Sequence, residues 1–579
     1  MLVGRSDAFA LASIGAGIAT ASPWFAGNPY VLPALIGPAI GAGWFAYKRT
    51  KLWLDRTDTE SRENFVLPSD DIFGDFMTTK KGIRFGYTRD NGLPVDVEDG
   101  YLTRHCAIIG QSGVGKTTLG EYLLWQQAVR GGGFIFIDAK LDAATRDKLN
   151  LMMQLCGRGH EFYVLNVDQP ENSNTYNPIL KGDADEVASR LLNLLPSTEN
   201  SPGADFFRQQ ANYALTVLTG ALKSAKRRYD FSDLAILLQS DRALESILRL
   251  PLEPEARMTL EVFLNQFRKK DKGGASLDIN KVKEVLGGMS GRIALFSQGK
   301  FGRVFNTYTP EIDLTDIVTN NKCLYVMLPT MGKDQAALNL GKMILSDLRT
   351  AVYNVQGLPN HLRPKPPFMV FADEMGSYVM GGIARLFEQA RSAGICMIPA
   401  FQTFANLRTV GPDFEDIIIG NTWNKVYFKM ASRDSPETAA EIIGKTTKYA
   451  KSLSMSKNEG QSSSDTRTNP QGNSSDGAGM SESWRASEEY RVNPDHLKSM
   501  GMGEAVLHSG SRVFHINTPM LHFPSPPSFK ATRHRTVMPP DEQGLSLKEQ
   551  YKEFLMAAQD EGKRMDDAEN SFKTAAAEA

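Results

Sequence analysis

The chain has 579 residues, which is enough for about two to four domains of ordinary size. Its formal net charge is −1 at pH 7, so the general attraction of a polycation to nucleic acid is excluded and any contact with DNA has to be local. Hydrophobic residues make up 41% and charged residues 23%, a globular mixture that excludes collagen-like and wholly disordered chains. The cysteines lack the spacing of a zinc site or a disulfide framework, which favours a reducing compartment for the bulk of the chain: Cys106, Cys156, Cys323 and Cys396.

The first predicted elements are two apolar runs near the N-terminus. Residues 8–26 and 30–47 contain no charged side chain, and each run is about as long as one membrane span. Basic residues follow the second run, and positive charge stays on the cytoplasmic side of a membrane. The pattern therefore predicts a transmembrane helical hairpin within residues 1–56, with both ends in the cytoplasm. A soluble hairpin buried in a core and a cleaved signal peptide are the alternatives.

A phosphate-binding motif comes next. An apolar strand pattern at residues 105–109 leads directly into G-x-x-x-x-G-K-[ST], and a helical pattern follows, which is the order that gives this motif its meaning. Glycines let backbone N–H groups close around a phosphate, Lys116 reaches the β- and γ-phosphates, and Thr117 offers a hydroxyl to Mg²⁺. An ordinary glycine-rich turn is the alternative. The predicted ATP-binding residues are Gly110, Gln111, Ser112, Gly113, Val114, Gly115, Lys116, Thr117 and Thr118.

Strand patterns alternate with helical patterns through much of the chain, which predicts an α/β fold with a mostly parallel sheet. One long stretch, residues 183–300, has only helical spacing and predicts an inserted all-helical domain. Extra layers on the same core are the alternative. Basic clusters on this insert either track a phosphate backbone or are solvated helix faces. These basic residues are Arg208, Lys223, Lys226, Arg227, Arg228, Arg268, Lys269, Lys270, Lys272, Lys281 and Lys283.

A paired-acid signal appears after the insert. The apolar strand pattern at residues 367–372 ends in Asp373 and Glu374. A P-loop needs a carboxylate in the Mg²⁺ shell and a group that polarises the attacking water, so we expect Asp373 to hold Mg²⁺ and Glu374 to act as the general base. Asp138 also ends an apolar strand pattern and is the rival magnesium ligand. Because it lacks a second carboxylate, Asp138 is assigned a structural or phosphate-side role.

Two further residues are candidates for the reaction. Gln402 stands at the carboxyl end of the predicted strand 395–401, where ligands bind in open α/β sheets, so we expect it to sense the γ-phosphate. Arg391 lies on the predicted helix 383–393 and is a candidate arginine finger for the ATP of a neighbouring subunit. A polar strand end and a solvated surface arginine are the respective alternatives.

The C-terminal part changes in composition. Residues 451–483 are rich in Ser, Asn, Gly and Asp, which predicts a flexible loop. A hairpin is expected to follow it and to complete the second part of the ATPase domain, residues 301–524; the first part is 57–182. Residues 525–579 are rich in Ala and acidic residues and predict a charged helical tail that docks a protein rather than DNA.

The order of these features resembles the type IV secretion coupling proteins of the TraD/TraG type, which are relatives of the FtsK and HerA DNA pumps. Three further segments fit the resemblance: residues 174–178, 390–394 and 419–421. It implies a RecA-like P-loop NTPase domain, a ring of six subunits, a membrane stem and a helical domain that meets the substrate. It also implies roles for a small set of residues: Lys116, Thr117, Asp373, Glu374, Arg391 and Gln402.

The function implied by the resemblance is that of a membrane-anchored ATPase of bacterial conjugation, with ATP and Mg²⁺ as cofactors. Its partners would be single-stranded DNA with a relaxase or accessory proteins, or protein effectors, together with type IV secretion channel components. It would sit in the bacterial inner membrane as a homohexamer, with the bulk of the chain cytoplasmic. The alternatives are an FtsK-like double-stranded DNA translocase and a substrate receptor that binds ATP without hydrolysing it.

Overall fold

The structure, a computed structural model, describes Trp44 and residues 82–195, 202–271, 274–330, 334–379, 381–411, 413–460 and 475–534. The predicted transmembrane hairpin lies outside the described residues except for Trp44, and so does the tail beyond residue 534. In the described ranges, no helix combines the length and the apolar character needed to cross a bilayer.

The strands in the described ranges are β1 (Gly82–Thr88), β2 (Pro94–Glu98), β3 (Cys106–Ile109), β4 (Phe134–Asp138), β5 (Phe162–Asn166), β6 (Arg268–Asp271), β7 (Gly274–Leu277), β8 (Cys323–Met327), β9 (Phe368–Ala372), β10 (Ile395–Phe401), β11 (Asn424–Tyr427), β12 (Lys445–Gly460), β13 (Ser475–Tyr490), β14 (Glu504–Ser509) and β15 (Arg512–Asn517).

The α-helices are α1 (Asp99–Leu102), α2 (Lys116–Val129), α3 (Ala143–Leu155), α4 (Ala184–Leu192), α5 (Pro202–Ser224), α6 (Phe231–Leu237), α7 (Asp241–Ile247), α8 (Pro254–Asn265), α9 (Ile279–Ser297), α10 (Gly299–Phe305), α11 (Leu314–Thr319), α12 (Asp334–Gln356), α13 (Ala384–Ala390), α14 (Ala405–Arg408), α15 (Phe414–Asn421), α16 (Ser435–Ile443) and α17 (Pro494–Ser499).

The main sheet has eleven strands in the order β2-β1-β15-β14-β11-β3-β10-β9-β4-β8-β5. Its seven strands from β11 to β5 pair in parallel, which confirms the prediction of an α/β fold with a mostly parallel sheet. Their residues are buried on both faces, the pattern expected when helices cover both sides of a parallel sheet. The carboxyl ends of these strands therefore meet at one edge, and their amino ends at the opposite edge.

The other four strands extend the sheet with antiparallel pairs. The β14–β15 hairpin agrees with the sequence prediction, whereas β1 and β2 were not predicted. They escaped notice because their core side chains are interleaved with charged ones. Arg84 is 4% exposed within β1, where its guanidinium pairs with Asp96 at 2.9 Å.

The two faces of the sheet have separate apolar cores. Alternate side chains of the central strands, such as Ile108, Phe136 and Phe371, pack beneath α2 and α3. The opposite set, including Ile109 and Ile137, belongs to a cluster that continues through α12 and α13 into the helices of the insert. The sheet thus forms the middle layer between two layers of helices.

The insert needs a correction. It contains the helices α4 to α9, but also the antiparallel hairpin β6–β7, so it is not all-helical. Within this stretch α6 and α7 are separate helices, because the chain breaks at Ser240, whose hydroxyl caps α7 by accepting the N–H of Ala243 at 3.2 Å. The apolar residues of the insert belong to the same cluster as one face of the sheet.

A polar loop prediction is also corrected. Most of residues 451–483 lie in β12 and β13, which form a two-stranded antiparallel ribbon with Lys445 opposite Tyr490 and Gly460 opposite Ser475. The polar composition indicates only that these residues are not buried in an apolar core. It does not exclude strands, because two backbones can pair without such a core. Residues 461–474 lie outside the described ranges.

After β15 the chain crosses the helical layer as an extended strap, residues 518–534. Phe523 packs edge-on against Trp125 of α2, and Phe529 packs edge-on against Phe162 of β5. At its end His534 stacks on Tyr163, with 3.8 Å between the ring centroids. The first part of the predicted helical tail, residues 525–534, is therefore not helical and is attached to the globular part.

We predict that Phe529→Ala detaches this strap. The ring is 4% exposed, and truncating a buried phenylalanine costs about 3 kcal/mol or more. Limited proteolysis should cut the variant faster than the wild type within residues 518–534. Phe207→Ala is the control, since Phe207 is 48% exposed. Equal cleavage rates for wild type and Phe529→Ala would contradict the packing described for the strap.

Candidate nucleotide-binding site

The P-loop joins the carboxyl end of β3 to the first turn of α2. Gly113 and Gly115 have φ values of 80° and 114°, a region that favours glycine. Lys116 is the first residue of α2 and is 4% exposed. Its ammonium donates to the carbonyl oxygens of Gly110 at 2.6 Å and Gln111 at 2.9 Å. The ammonium is therefore held inside the loop, and burial lowers its pKa.

The P-loop borders an open cleft of about 570 Å³ at the carboxyl edge of the sheet. A Cβ built on Gly113 would meet only open space, so the concave side of the loop is free for a ligand. The helix N-terminus and the backbone N–H groups of such a loop favour a phosphate there. Seven predicted ATP-binding residues line this cleft: Ser112, Gly113, Val114, Gly115, Lys116, Thr117 and Thr118.

Asp373 and Glu374 follow β9, two strands from the P-loop strand. Asp373 is fully buried, and its Oδ2 accepts the hydroxyl of Thr117 at 2.9 Å. Its backbone N–H donates to Ile137 in β4 at 2.9 Å. The structure thus brings together the two residues that the sequence assigns to Mg²⁺. A threonine hydroxyl beside a carboxylate matches the oxygen ligands that Mg²⁺ prefers.

Glu374 is held by its neighbour in the sheet. Its backbone lies in the left-handed region with φ of 49°, an unfavourable conformation that is found at functional sites. Gln402, one residue beyond β10, donates from Nε2 to Oε1 of Glu374 at 3.2 Å. The predicted base and the predicted γ-phosphate sensor are therefore in direct contact.

Lys140 is a site residue to which sequence reasoning gave no role. It follows β4, and its ammonium lies 3.3 Å from Asp373 and 3.4 Å from Glu374. Burial alone would lower the pKa of Lys140, but Asp373 and Glu374 together raise it. The signal that could have revealed it is its position at the carboxyl end of a strand that pairs directly with β9.

Asp138, the rival magnesium ligand, is occupied by protein groups. Its carboxylate accepts the Tyr325 hydroxyl at 2.6 Å and the backbone N–H groups of Lys140 and Asp142 at 2.8 and 3.3 Å. These contacts fix the turn that follows β4. Burial raises the pKa of Asp138 above its usual range, although the hydrogen bonds from Tyr325 and from the two backbone N–H groups act in the opposite direction.

Arg391 lies elsewhere. It follows α13 and precedes β10, so it is at the amino edge of the sheet. Gln402 is at the other end of the same seven-residue strand, which spans about 20 Å. The structure therefore does not bring Arg391 to the P-loop of its own chain.

His105 fastens the amino edge. It precedes β3, and its Nε2 lies 2.6 Å from the carbonyl oxygen of Phe387 in α13, while Nδ1 accepts the N–H of Met397 in β10 at 3.1 Å. The ring is therefore a neutral tautomer that donates from Nε2. Burial lowers its pKa to about 4, and Arg391 contributes in the same direction.

These features define the class of the molecule: an α/β protein with a P-loop facing two acidic residues on a parallel sheet. Two known protein families match parts of this chain. Residues 83–181 match the family described as "Helicase HerA, central domain". Residues 367–477 match the family described as "TraM recognition site of TraD and TraG".

A match to one named protein is more specific than these family matches. The chain is 26% identical over 431 residues to "Type 4 coupling protein DotL" of Legionella pneumophila subsp. pneumophila, over 65% of this chain. The alignment spans 54% of that protein, about half of its length. The predicted resemblance to the coupling proteins is thereby confirmed, because the chain is homologous to one of them.

Solved structures show the same fold. The unbound monoclinic form of the bacterial conjugative coupling protein TrwBdeltaN70 has a TM-score of 0.50 and 16% identity, covering 76% of this chain and 90% of that chain. Its trigonal form in complex with sulphate has a TM-score of 0.50 and 15% identity, covering 82% of this chain and 100% of that chain. The likeness concerns the fold.

We predict that His105 makes stability depend on pH. Between pH 6.5 and about 4 the unfolded chain binds a proton that the folded ring does not, so stability falls as pH decreases through that window. For a folded pKa of about 4, the loss between pH 7 and pH 5 is about 2 kcal/mol. Asparagine tolerates the φ of 66° at this position, and His105→Asn should lack the part of this loss that comes from His105. Urea unfolding at both pH values measures it.

His508 also has a pKa lowered to about 4 by burial, and it is present in both proteins. The difference between wild type and His105→Asn therefore isolates His105. Identical pH dependence in the two proteins would contradict the assignment of a buried neutral ring.

Proposed function

We propose that this protein is the ATP-hydrolysing motor of a coupling protein that delivers a relaxase–DNA complex, or protein effectors, to a type IV secretion channel. The observation that carries the proposal is the 2.9 Å contact of the Thr117 hydroxyl with Asp373. It joins the P-loop to the acidic strand, and Glu374 and Gln402 lie in contact beside it. The homology to a type 4 coupling protein supplies the biological setting.

Thr117 and Asp373 would hold Mg²⁺ in this site. When bound, the ion neutralises phosphate charge that develops during transfer. Lys116 would turn from the carbonyl oxygens of the loop toward the β- and γ-phosphates. Its burial strengthens that attraction, because the effective dielectric constant is lower away from water.

Glu374 would accept a proton from the attacking water. Gln402 keeps the Glu374 carboxylate oriented through its amide, and a γ-phosphate offers the same amide a competing acceptor. The single charge of Lys140 offsets part of the charge of the two acids, and Lys140 would hold their carboxylates in place for the cation. Hydrolysis then follows from positioning and charge rather than from a covalent intermediate.

The place of Arg391 favours a ring. An arginine about 20 Å from its own site completes a P-loop only if the amino edge of one subunit faces the carboxyl edge of the next. Such a contact is heterologous, and it closes into a ring when the rotation permits. A homohexamer at the inner membrane, with the bulk of the chain cytoplasmic, is the assembly we propose.

The helical insert is the proposed contact for cargo. The ammonium of Lys223 donates to the carbonyl oxygen of Leu180 at 2.9 Å, and burial lowers its pKa to about 8. We therefore do not propose Lys223 as a DNA-binding residue. Lys226 and Lys283 remain exposed. The region matched to the TraM recognition site is where an accessory protein would dock.

We predict that Glu374→Gln separates binding from turnover. The amide keeps the size of the side chain but cannot take a proton, so steady-state ATP hydrolysis should fall at least about 100-fold. ATP affinity should change by less than about threefold, because the P-loop is untouched. Glu261→Gln, on the exposed surface of α8, is the matched control. Hydrolysis that survives Glu374→Gln would remove the general-base role.

A second prediction concerns Arg391. Arg391→Ala and Lys116→Ala should each be inactive alone. When the two variants are mixed, some interfaces pair an intact P-loop with an intact arginine, so ATP hydrolysis should reappear. The control mixture is Lys116→Ala with Glu374→Gln, since both changes damage the same side of an interface. Equal activity in the two mixtures would contradict a role for Arg391 in the neighbouring site.

The cargo is tested by ATP hydrolysis of the full chain with single-stranded or double-stranded DNA at two salt concentrations. A conjugative motor is expected to be stimulated more by single strands, with an affinity that falls as salt rises. Preference for duplex DNA would favour an FtsK-like translocase instead. ATP binding without hydrolysis under every condition would favour a receptor scaffold.

A further inference from the structure

The nucleotide cleft has an apolar end that the P-loop motif does not explain. Met502 and Met520 line it together with Gly503 and Thr518. Met502 and Met520 are 80% and 59% exposed, so two large apolar groups face water at the rim of an otherwise polar site. Met502 precedes β14 and Met520 follows β15, and both therefore lie at the root of one hairpin.

This root is fixed to the P-loop by backbone contacts. Gly503 donates its N–H to the carbonyl of Val114 at 3.0 Å, and its own carbonyl accepts the N–H of Thr518 at 2.8 Å. The Thr518 hydroxyl also donates to Gly503 O at 2.9 Å. A Cβ built on Gly115 would lie 3.7 Å from the Gly503 backbone. The methionines consequently keep a defined position relative to the phosphate-binding loop.

The sheet order sets the direction of a bound nucleotide. The acids and Gln402 follow β9 and β10, on one side of the P-loop strand β3, whereas β14 and β15 lie on its other side beyond β11. A triphosphate whose γ end faces Asp373 and Glu374 has its α end at the opposite side of the loop. The nucleoside then leaves the P-loop toward the hairpin root.

We infer that Met502 and Met520 form the subsite for the nucleobase of ATP and contact the faces of its ring. This inference rests on the proposed function. Thioether side chains are polarizable and pack well on aromatic rings, and covering them removes exposed apolar surface from water. The two side chains offer no hydrogen-bond donor for the edge of a base, so the subsite accepts adenine and guanine about equally.

The other end of the cleft is the competing location. Glu121, Thr145 and Lys148 line it, and they already bind one another: the Lys148 ammonium and the Thr145 hydroxyl each lie 3.2 Å from Oε1 of Glu121. These residues are on α2 and α3 and share their side of the cleft with Asp138 and Lys140. A nucleoside there would place its phosphates in the wrong direction for Asp373.

The test compares MgATP with Mg-tripolyphosphate, which has the phosphates but no nucleoside. Titration calorimetry on the full chain should show that Met502→Ala and Met520→Ala each weaken ATP binding about twofold to tenfold. Tripolyphosphate affinity should not change, and this also shows that the variant site is folded. Met502→Leu and Met520→Leu should retain most of the ATP affinity. GTP affinity should fall in parallel with ATP affinity.

The controls separate the possible failures. Met258→Ala changes a methionine that is 68% exposed on α8 and should affect neither ligand. An unchanged ratio of ATP to tripolyphosphate affinity in the Met502→Ala/Met520→Ala double variant would overturn the inference. A reduced ratio in Lys148→Ala, with none in the methionine variants, would move the base to the other end. If the wild type binds neither ligand, the proposed function itself fails.

Discussion

The contact on which this molecule depends joins the P-loop helix to the acidic strand: Thr117 donates its hydroxyl to Asp373, 256 positions away in the chain, at 2.9 Å. It requires β3 and β9 to be parallel and to be separated only by β10. Asp373 is fully buried; its carboxylate accepts the hydroxyl of Thr117 and lies 3.3 Å from the ammonium of Lys140. Without the parallel sheet these groups would not meet.

The same sheet places two groups of residues at its two opposite edges. The carboxyl edge holds the phosphate loop, the acids, Lys140 and Gln402, while the amino edge holds His105 and Arg391. His105 joins the start of β3 to α13 and β10 by two hydrogen bonds. His105 therefore ties α13, after which Arg391 follows, to the strand that leads into the P-loop. The strap also connects distant parts of the sheet, because it leaves β15 beside the cleft and ends on β5.

Sequence reasoning succeeded where the signal is local. The strands before Gly110, Asp373 and Gln402 are continuous apolar runs, and each leads directly into the P-loop or into a polar residue at the carboxyl edge, so their place follows from the chain alone. Lys140 could not be assigned in this way, because its role arises from the pairing of β4 with β9. Strands β1 and β2 were not predicted for a similar reason: the charge of Arg84 suggests a surface position, whereas Asp96 on the paired strand allows its burial. The ribbon of β12 and β13 has no compositional signal, since it depends on backbone pairing.

The most direct test of the central claim is ATP hydrolysis by the full chain in the presence of Mg²⁺, measured for the wild type and for Lys116→Ala. The account predicts hydrolysis by the wild type and its loss, by at least about 100-fold, in the variant, because Lys116 is the buried cation of the phosphate loop. Hydrolysis that is equal in the two proteins, or absent from the wild type in every condition, would contradict it.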